Sequence, residues 1–467
     1  MSKVDTAPRQ AKLLYCRLMS PGLEQRAVPG REQAVKRQGI NLTSYLQEFV
    51  IYESIFDNTI SGHITLLEDA GLLEAIPIVG VEVVWLGFSV MDENDVEQEF
   101  KRAFRVVRVR DIGYPRHGFR QYTLDLVTHE FVTSLSSRIC RSFENLSIHE
   151  IVRSLMLKDL EIPANRIQRI EPTWATVNAT IPNYTPLQAV NYFTMLAQTT
   201  KVPRESNFLF YETLNGFWFQ SIQSLIAQGK TGTLPRFKFD PASATSGPAN
   251  DKDIRYSLIQ MHQEQTFDLL TDITGGMLRS KMVHFDFLAR KLAHVEDSRY
   301  TESFKNTTHL DKHPLYPQNY DLSVSKNTRI FTFPSNMWSA NSSYLNSIER
   351  TPEQQMWAAI VLRNRQLREI QHFQTLIDTP GHPELRAGRV IDVQYMPSHI
   401  IQGKNKSASE PVPAEATPYY SGPHLITSLK HQLKLRPGGG LEYRIHMRAT
   451  RDSLGAPLIG TASTEGL

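Results

Sequence analysis

Residues 424–450 read HLITSLKHQLKLRPGGGLEYRIHMRAT, and this stretch has the most regular pattern in the chain. From Leu441 to Ala449, every second residue is apolar and the residues between are polar, namely Glu442, Arg444, His446 and Arg448. A period of two is typical of a strand with one buried face. PGGG at 437–440 precedes this strand, and a second apolar-rich run, 426–435, lies before it. The stretch therefore predicts a β-hairpin with a glycine-rich turn.

Residues 41–131 are predicted to be β-rich for the same reason. One run alternates apolar positions with polar neighbours, at Ile60, Gly62, Ile64 and Leu66. Two later runs carry their apolar residues at Val81, Val83 and Trp85, and at Phe119, Tyr122, Leu124 and Leu126. Turn-forming sequences such as Asp57-Asn58 and Gly113-Tyr114-Pro115 separate the runs. Short strands punctuated by turns predict an antiparallel sheet or a small barrel.

After residue 136 the apolar spacing becomes helical. Ser147 and Glu150 form the S-x-x-E pattern of a capping box, and apolar residues follow at helical spacing. The tetrapeptide TPLQ at 185–188 marks a second helix, with Thr at the N-cap and Pro at the first helical position. Strand-like runs at 207–211 and 216–220 come next. Residues 136–240 are therefore predicted to form a small α/β domain.

The rest of the chain mixes β-rich and polar stretches. Residues 254–295 are β-rich, a helix signal that begins at Thr351 runs through Ile370, and LRAGRVIDV at 385–393 predicts a turn that leads into a strand. Four polar segments are predicted to lie outside the cores: a linker at 240–252, an insertion at 296–350, a mobile loop at 402–418 and a tail after residue 451. Strands and helices do not alternate regularly, which argues against a doubly wound parallel sheet. The predicted fold class is mainly β with α+β parts.

Composition narrows the possible roles. The 467 residues carry 51 Lys and Arg against 48 Asp and Glu, and a dedicated nucleic-acid-binding protein has a larger basic excess. Two cysteines, Cys16 and Cys140, exclude a disulfide scaffold and are too few for a cysteine-rich zinc module. The most apolar run, 72–88, is interrupted by two glutamates, and the N-terminus lacks the apolar core of a signal peptide. We therefore expect a protein that is folded where it is made and is not stably inserted in a membrane.

Motifs for catalysis, metals and cofactors are missing. The sequence contains neither a G-x-x-x-x-G-K-[ST] phosphate loop nor a G-x-S-x-G nucleophile elbow. His129-Glu130 and His149-Glu150 begin like a zinc-protease motif but lack the second histidine, while His309 and His313 lack the adjacent glutamate. We predict no catalytic residue, no metal and no cofactor. A glycosidase carboxylate pair stays open, because its spacing is spatial and cannot be recognised in a sequence.

Two pairs of arginines are the remaining candidates for a functional surface. Arg108 and Arg110 alternate with Val107 and Val109, and Arg444 and Arg448 share the polar face of the predicted last strand. One interpretation is a solvated face whose charge is balanced by neighbouring acids. The other is a charged lining or rim that meets another protein or passing DNA. We therefore take these arginines as candidate interface or lumen residues.

The order of these segments resembles the baseplate hub proteins of contractile-tailed bacteriophages. Residues 44–88 and 121–131 are similar to the N-terminal barrel of that family, and SSRICRSFENLSIHEIVRSLM at 136–156 is similar to its passage into a small domain. TPLQAVNYFTMLAQ at 185–198, with NFLFYETLNGFWFQSI after it, resembles the middle α/β domain. LRAGRVIDVQY and the final hairpin resemble the close of a second barrel. The resemblance covers about residues 40–230 and 350–450.

The resemblance implies a fold and an assembly. It implies two tail-tube-like antiparallel β-barrels: the first at 1–135 and the second at 241–295 with 351–452, separated by the small domain at 136–240. Residues 296–350 would be an inserted domain or extended loop, and residues 453–467 a C-terminal tail. Three copies would make a pseudo-six-fold ring that adapts a three-fold central spike to the six-fold tail tube and lets DNA pass. Open barrel edges of neighbouring copies would pair and so be protected.

The implied partners are a homotrimer, the central spike protein and a tail tube or tube-initiator protein. Baseplate wedge and tape-measure proteins are further candidates, and genomic DNA would pass through the lumen without specific binding. The implied location is the tail baseplate of a virion, assembled in the cytoplasm of the host bacterium. One alternative, a spike fused to an effector, should show long β-helix repeats, which this sequence lacks. The other is a spike-associated cell-wall hydrolase that acts during penetration.

Overall fold

The fold is seen in a computed structural model. The structure describes residues 9–20, 39–75, 78–91, 96–174, 176–201, 206–230, 234–239, 256–286, 291–300, 304–316, 329–334, 363–395, 419–436 and 440–457. The predicted linker at 240–252, the loop at 402–418, the helix start at Thr351 and most of the 296–350 insertion lie outside these ranges. Most of the described secondary structure is β, which confirms the predicted fold class.

Eight strands close into a first barrel. They are β1 (Arg9–Met19), β3 (Leu46–Ser54), β4 (Ser61–Glu68), β5 (Val83–Met91), β6 (Glu97–Arg116), β7 (Phe119–Val127), β20 (Gly422–Leu435) and β21 (Leu441–Arg451). Their hydrogen-bonded order is β20-β3-β4-β7-β6-β5-β1-β21, and β21 pairs back to β20. The short β2 (Ile40–Asn41) pairs with β1, and Leu72–Ala75 forms the helical turn α1. The barrel therefore needs strands from both ends of the chain.

The predicted hairpin is confirmed and belongs to two rings of strands. Residues 428–434 of β20 pair with β3, and residues 441–443 of β21 pair with β1. Farther from the turn, β20 pairs with β19 (Val390–Tyr395) and β21 with β18 (Phe373–Pro380). β13 (Arg236–Phe239) extends β19, and β14 (Gln260–Gln265) extends β18. The backbone of Lys238 in β13 forms hydrogen bonds with Tyr256 and Leu258, which precede β14. These bonds close a second, smaller ring made of β13, β19, β20, β21, β18 and the chain that leads into β14.

Alternating burial explains why these segments form strands. Ile64 and Leu66 of β4 point inward and are buried, as the sequence pattern predicts. Tyr443 and Ile445 of β21 do the same. The apolar side chains of both rings merge into one core. A one-sided strand gains free energy by burying its apolar face, which fixes its register.

The prediction that β5 buries the face of Val83 and Trp85 is wrong. The structure buries Val84 and Leu86, whereas Trp85 is 47% exposed. Almost every residue from Val83 to Phe88 is apolar, so the sequence has no alternation that selects a face. Pairing decides instead, because β5 is held between β1 and β6 with Trp85 opposite Arg17 and Ala103.

The small α/β unit has a core of its own. Its helices are α2 (His129–Ser136), α3 (Ile148–Ser154, continued by a π-turn at Leu155–Asp159), α4 (Pro186–Leu196) and α5 (Ile222–Gln228). Its strands are β8 (Ile139–Ser147), β9 (Ile167–Ile170), β10 (Thr176–Tyr184), β11 (Phe208–Thr213) and β12 (Gly216–Ser221), and a 3₁₀ turn covers Ala164–Arg166. Both predicted capping boxes are confirmed, because each N-cap bonds reciprocally with its third helical residue.

A third region lies beside the second ring. It contains α6 (Leu269–Gly275), a sheet of β15 (Arg279–Asp286), β16 (Lys291–Arg299) and β17 (Arg329–Pro334), and a helix, α7, described at 363–372. The resemblance implies that residues 241–295 belong to the second barrel. In the structure, β15 pairs with β16 and, in parallel, with β17, a strand from the segment that the sequence analysis interprets as an insertion. The division of the whole chain into domains stays a proposal.

Candidate interaction surface

One sheet spans both rings. Its strands follow the order β6-β7-β4-β3-β20-β21-β18-β14, and the side chains that point away from the two cores form what we call the outer face. A single cross-strand row links Arg444 to Gln432, then to Val50, His63 and Asp125, and finally to Arg108. Two arginines that are 336 positions apart in sequence therefore lie on the same face of one sheet.

Arg108 and Arg110 share one carboxylate. Nε of Arg110 lies 2.8 Å from Oδ1 of Asp125, and Nε of Arg108 lies 4.0 Å from Oδ2 of the same residue. The side chain of Arg108 is 72% exposed, so this longer contact is weak. The pairing of β6 with β7 shifts register between Val106 and Arg108, so Val107 forms a β-bulge that puts both arginines on the outer face.

Arg444 and Arg448 are also balanced by acids. Nε of Arg444 contacts the Glu442 carboxylate, and Nη2 of Arg448 lies 3.0 Å from Oε2 of Glu264 on β14. All four predicted arginines therefore touch a carboxylate. This agrees with a solvated, charge-balanced face, and whether the face meets a partner or a lumen stays a prediction.

A polar network joins the two halves of the sheet. His446 places Nδ1 2.6 Å from Oδ1 of Asp378 on β18 and Nε2 2.7 Å from Oε1 of Gln432 on β20. The amide nitrogen of Gln432 donates to Glu48 on β3. The network therefore crosses from the second ring to the first, and the sequence offers no signal for it.

A groove of about 760 Å³ crosses the outer face beside this network. It is lined by the β3–β4 turn, the end of α7 and the outer side chains of β18, β20 and β21, including Tyr52, Phe56, Asp378, Lys430 and His446.

Two titratable side chains of the outer face, Tyr52 and His63, have shifted pKa values. Burial and the nearby Glu48 carboxylate raise the pKa of Tyr52, while burial and the charge of Arg110 lower the pKa of His63. At neutral pH both side chains are therefore uncharged hydrogen-bonding groups.

The two ends of this sheet are open within the described part of the chain. One end is the edge of β6 that faces β5. β5 pairs with this edge only as far as Arg105, and the Val106 amide donates to the Glu82 carbonyl. Beyond that point, from Val107 to Arg116, this edge of β6 has no described partner. Exposed apolar side chains lie along it, at Val107, Ile112 and Tyr114. At the other end, β14 pairs with β18 and has no other described strand beside Gln260–Gln265. Unpaired strand edges are natural sites for pairing with another chain.

A buried ion network fixes the α/β unit on the first barrel. Arg166 contacts Glu130 of α2 and, at 2.5 Å, Glu212 of β11, whose other oxygen accepts from the Ile60 amide at 3.1 Å. Burial raises the pKa of Glu212 to about 7, although the positive charge of Arg166 opposes the shift. Sequence reasoning missed this network, because its members come from four separate segments and form no motif.

Buried histidines in this fold tie segments together. Nδ1 of His309 lies 2.9 Å from Oδ2 of Asp452, and its Nε2 lies 2.6 Å from the Thr307 hydroxyl and 3.2 Å from the Phe304 carbonyl. Burial lowers the pKa of His309, but the hydrogen bond and charge of Asp452 outweigh it and raise the pKa above its usual value. These contacts tie the segment around His309 to Asp452. His313 instead pairs by its backbone with Leu454.

The described residues contain no cluster of three or more His, Cys, Asp or Glu side chains arranged to hold a metal ion. In the same part of the chain, no helix combines the length and apolar character needed to cross a membrane.

The fold defined by two β-rings that share one long hairpin can be compared with known proteins. No family model and no curated protein matches the sequence. Among solved structures, the chain is similar to the tail protein from Neisseria meningitidis MC58, at 10% identity and a TM-score of 0.50, over 95% of this chain and 97% of that one. It is also similar to the 43 kDa tail protein of prophage MuSo2 from Shewanella oneidensis, at 10% identity and a TM-score of 0.48, over 94% and 99% of the two chains. The first similarity shows a shared fold along nearly the whole chain.

Proposed function

We propose that this protein is the non-enzymatic structural hub of a contractile phage tail baseplate. The observation that carries the proposal is the pair of β-rings joined through one hairpin, in a fold shared with a protein named as a tail protein. In this proposal the ring built on residues 1–135 and the ring built on β18, β19 and β14 each occupy one position around the tail axis. Three copies then supply six such positions, which matches a three-fold spike to a six-fold tube.

The open sheet ends support a head-to-tail ring. The β6 edge from Val107 to Arg116 of one copy would pair with β14 of the next, so the eight-stranded sheet would continue around the assembly. Contacts of this heterologous kind form closed rings when the rotation per copy divides a full turn. Closure would also remove both exposed edges, which otherwise promote aggregation.

The outer face supports passage of DNA without specific binding. Its candidate arginines are each in contact with a carboxylate, so the face has no uninterrupted basic stripe along this row. A DNA phosphate backbone would be held tightly by a basic surface and slides more easily over a balanced one. The proposed partners are the central spike, a tail tube or tube-initiator protein, and wedge and tape-measure proteins. The proposed location is the virion baseplate, after assembly in the bacterial cytoplasm.

The test is the mass of the purified protein in solution, alone and co-expressed with neighbouring tail proteins, followed by electron-microscopy class averages. The proposal predicts a trimer with a six-lobed ring. A chain that stays monomeric and shows no ring beside its neighbours would refute it.

The edge contact is tested with Val107→Lys. Val107 is 50% exposed, so a lysine should not disturb the barrel core, but it would place a charge on the proposed contact edge. We expect loss of the trimer while the circular dichroism spectrum of the folded chain is retained. Val79→Lys is the matched control, because Val79 is an exposed valine of the same barrel outside this edge. A trimer that survives Val107→Lys would exclude this edge from the contact.

A further inference from the structure

The loop that leads into β19 is held in one conformation by contacts from three directions. The Gly388 amide donates to the Ile426 carbonyl at 2.8 Å, and the Ala387 amide donates to Oε2 of the buried Glu53 at 3.1 Å. Gly388 has a positive φ of 85°, and a Cβ at this position would overlap the Tyr211 hydroxyl. A glycine is therefore required here, and the loop presents its neighbouring side chains rigidly.

Arg386 projects from this loop and is partly buried against an aromatic ring. Its guanidinium carbon lies 5.2 Å from the centre of the Trp218 ring. Within the described parts of the chain, no carboxylate or carbonyl forms an ion pair or hydrogen bond with the Arg386 side chain. The nearby Glu384 is already engaged, since its carboxylate lies 3.0 Å from Nη1 of Arg389 and its carbonyl accepts from the same nitrogen at 2.7 Å.

Arg386 lines a cavity of about 400 Å³ whose other polar lining residues are Arg389, its partner Glu384 and three side-chain amides, those of Gln98, Asn215 and Gln228. Guanidinium and amide N–H groups donate hydrogen bonds to anions, and the Arg386 guanidinium is the donor on which the site depends, because Nε2 of Gln228 already lies 3.5 Å from Oε1 of Gln220. Burial lowers the pKa of Arg386, and the positive charge of Arg389 lowers it further, while Tyr211, Glu53 and Glu384 act in the opposite direction. None of these residues lines the groove on the outer face, so this cavity is a separate site.

We propose that this cavity binds the carboxylate of an aspartate or glutamate side chain presented by a partner protein. The planar guanidinium of Arg386, stacked on Trp218, keeps its edge available for the paired hydrogen bonds that a carboxylate accepts. One uncompensated guanidinium matches a single negative charge, whereas a phosphate dianion would require a second free cation. The Arg389 charge is neutralised by Glu384, which favours the carboxylate. The proposal does not depend on ring formation.

The test uses the full chain and two blocked peptides, acetyl-GGEGG-amide and acetyl-GGQGG-amide, with binding measured by ligand-observed NMR. We expect the Glu peptide to bind with millimolar affinity and the Gln peptide to bind at least tenfold more weakly. Arg386→Gln should weaken binding of the Glu peptide by tenfold or more. Arg236→Gln is the matched control: Arg236 is an exposed arginine on β13, paired with Asp392 at 2.9 Å, and its loss should leave the affinity unchanged.

Glu384→Gln is a second test that does not remove Arg386. It would release Arg389 from its carboxylate, so binding of the Glu peptide should become severalfold tighter. Equal binding of the two peptides, unchanged binding to Arg386→Gln, or weaker binding to Glu384→Gln would each overturn the proposal. Inorganic phosphate is included as a competitor, and binding of phosphate tenfold tighter than the Glu peptide would overturn the assignment to a carboxylate.

Discussion

His424 is expected to make the protein sensitive to mild acid. The ring lies in β20 and is fully buried, and its Nδ1–H donates to the Gly422 carbonyl at 2.8 Å. Nε2 is buried and has no hydrogen-bond partner in the described structure, so protonation would add an unpaired charge there. Burial, followed by the positive charge of Arg451 on β21, lowers the pKa of His424 to about 3.

The size of the effect follows from linkage. A histidine titrates near 6.5 in the unfolded chain, so between pH 6.5 and pH 3 the unfolded state binds a proton that the folded state does not. Stability is therefore lost as the pH falls through this window. Between pH 7 and pH 5 the difference amounts to about 2 kcal/mol, at 1.36 kcal/mol per pH unit.

The assay is urea unfolding of the wild type and of His424→Asn at pH 7 and pH 5. Asparagine can still donate to Gly422 but does not titrate, so its free energy of unfolding should fall by about 2 kcal/mol less than that of the wild type over this interval. His117→Asn, which replaces an exposed histidine on the β6–β7 turn, should follow the wild type. If wild type and His424→Asn lose the same stability between the two pH values, His424 is not buried and neutral as the structure indicates.

Three further outcomes are expected. Thr185→Ala removes the N-cap of α4 and should lower the free energy of unfolding, measured in urea, by about 1 kcal/mol. Thr185→Ser keeps a capping hydroxyl and should retain most of the wild-type free energy of unfolding. Gly381→Ala would force a Cβ into the Tyr443 ring, so we expect a loss of about 1–3 kcal/mol in the same assay; a neutral result would mean that the ring is not packed on this backbone. Glu212 has a folded-state pKa of about 7, above its unfolded value of 4.5, so its contribution to stability falls as the pH rises between these values. Unfolding from pH 5 to pH 8 should therefore show this loss in the wild type and not in Glu212→Gln, and identical profiles would contradict the raised pKa.

Local patterns determined most elements of this fold. The S-x-x-E and TPLQ signals placed the starts of α3 and α4 correctly, because a capping box satisfies amides within a few residues of itself. The alternation from Leu441 to Ala449 predicted β21 and its buried face, because a strand that is solvated on one side needs a period of two. Where every residue was apolar, as around Trp85, the same rule could not select a face.

Tertiary structure alone decided which strands meet. The sequence predicts a first barrel and a last hairpin, but the pairing of β20 with β3 joins residues 374–386 positions apart, and the pairing of β21 with β1 joins residues 430–434 positions apart. The pairing of β20 with β3 also brings Arg108 and Arg444 into one row. Tertiary structure likewise places Arg166 beside Glu130 and Glu212, and Arg386 against Trp218. Local sequence determines which segments can form a strand or a helix, because propensity, capping and alternation act over a few residues. Their partners depend on apolar burial and charge pairing summed over the whole chain, which no short stretch of sequence contains.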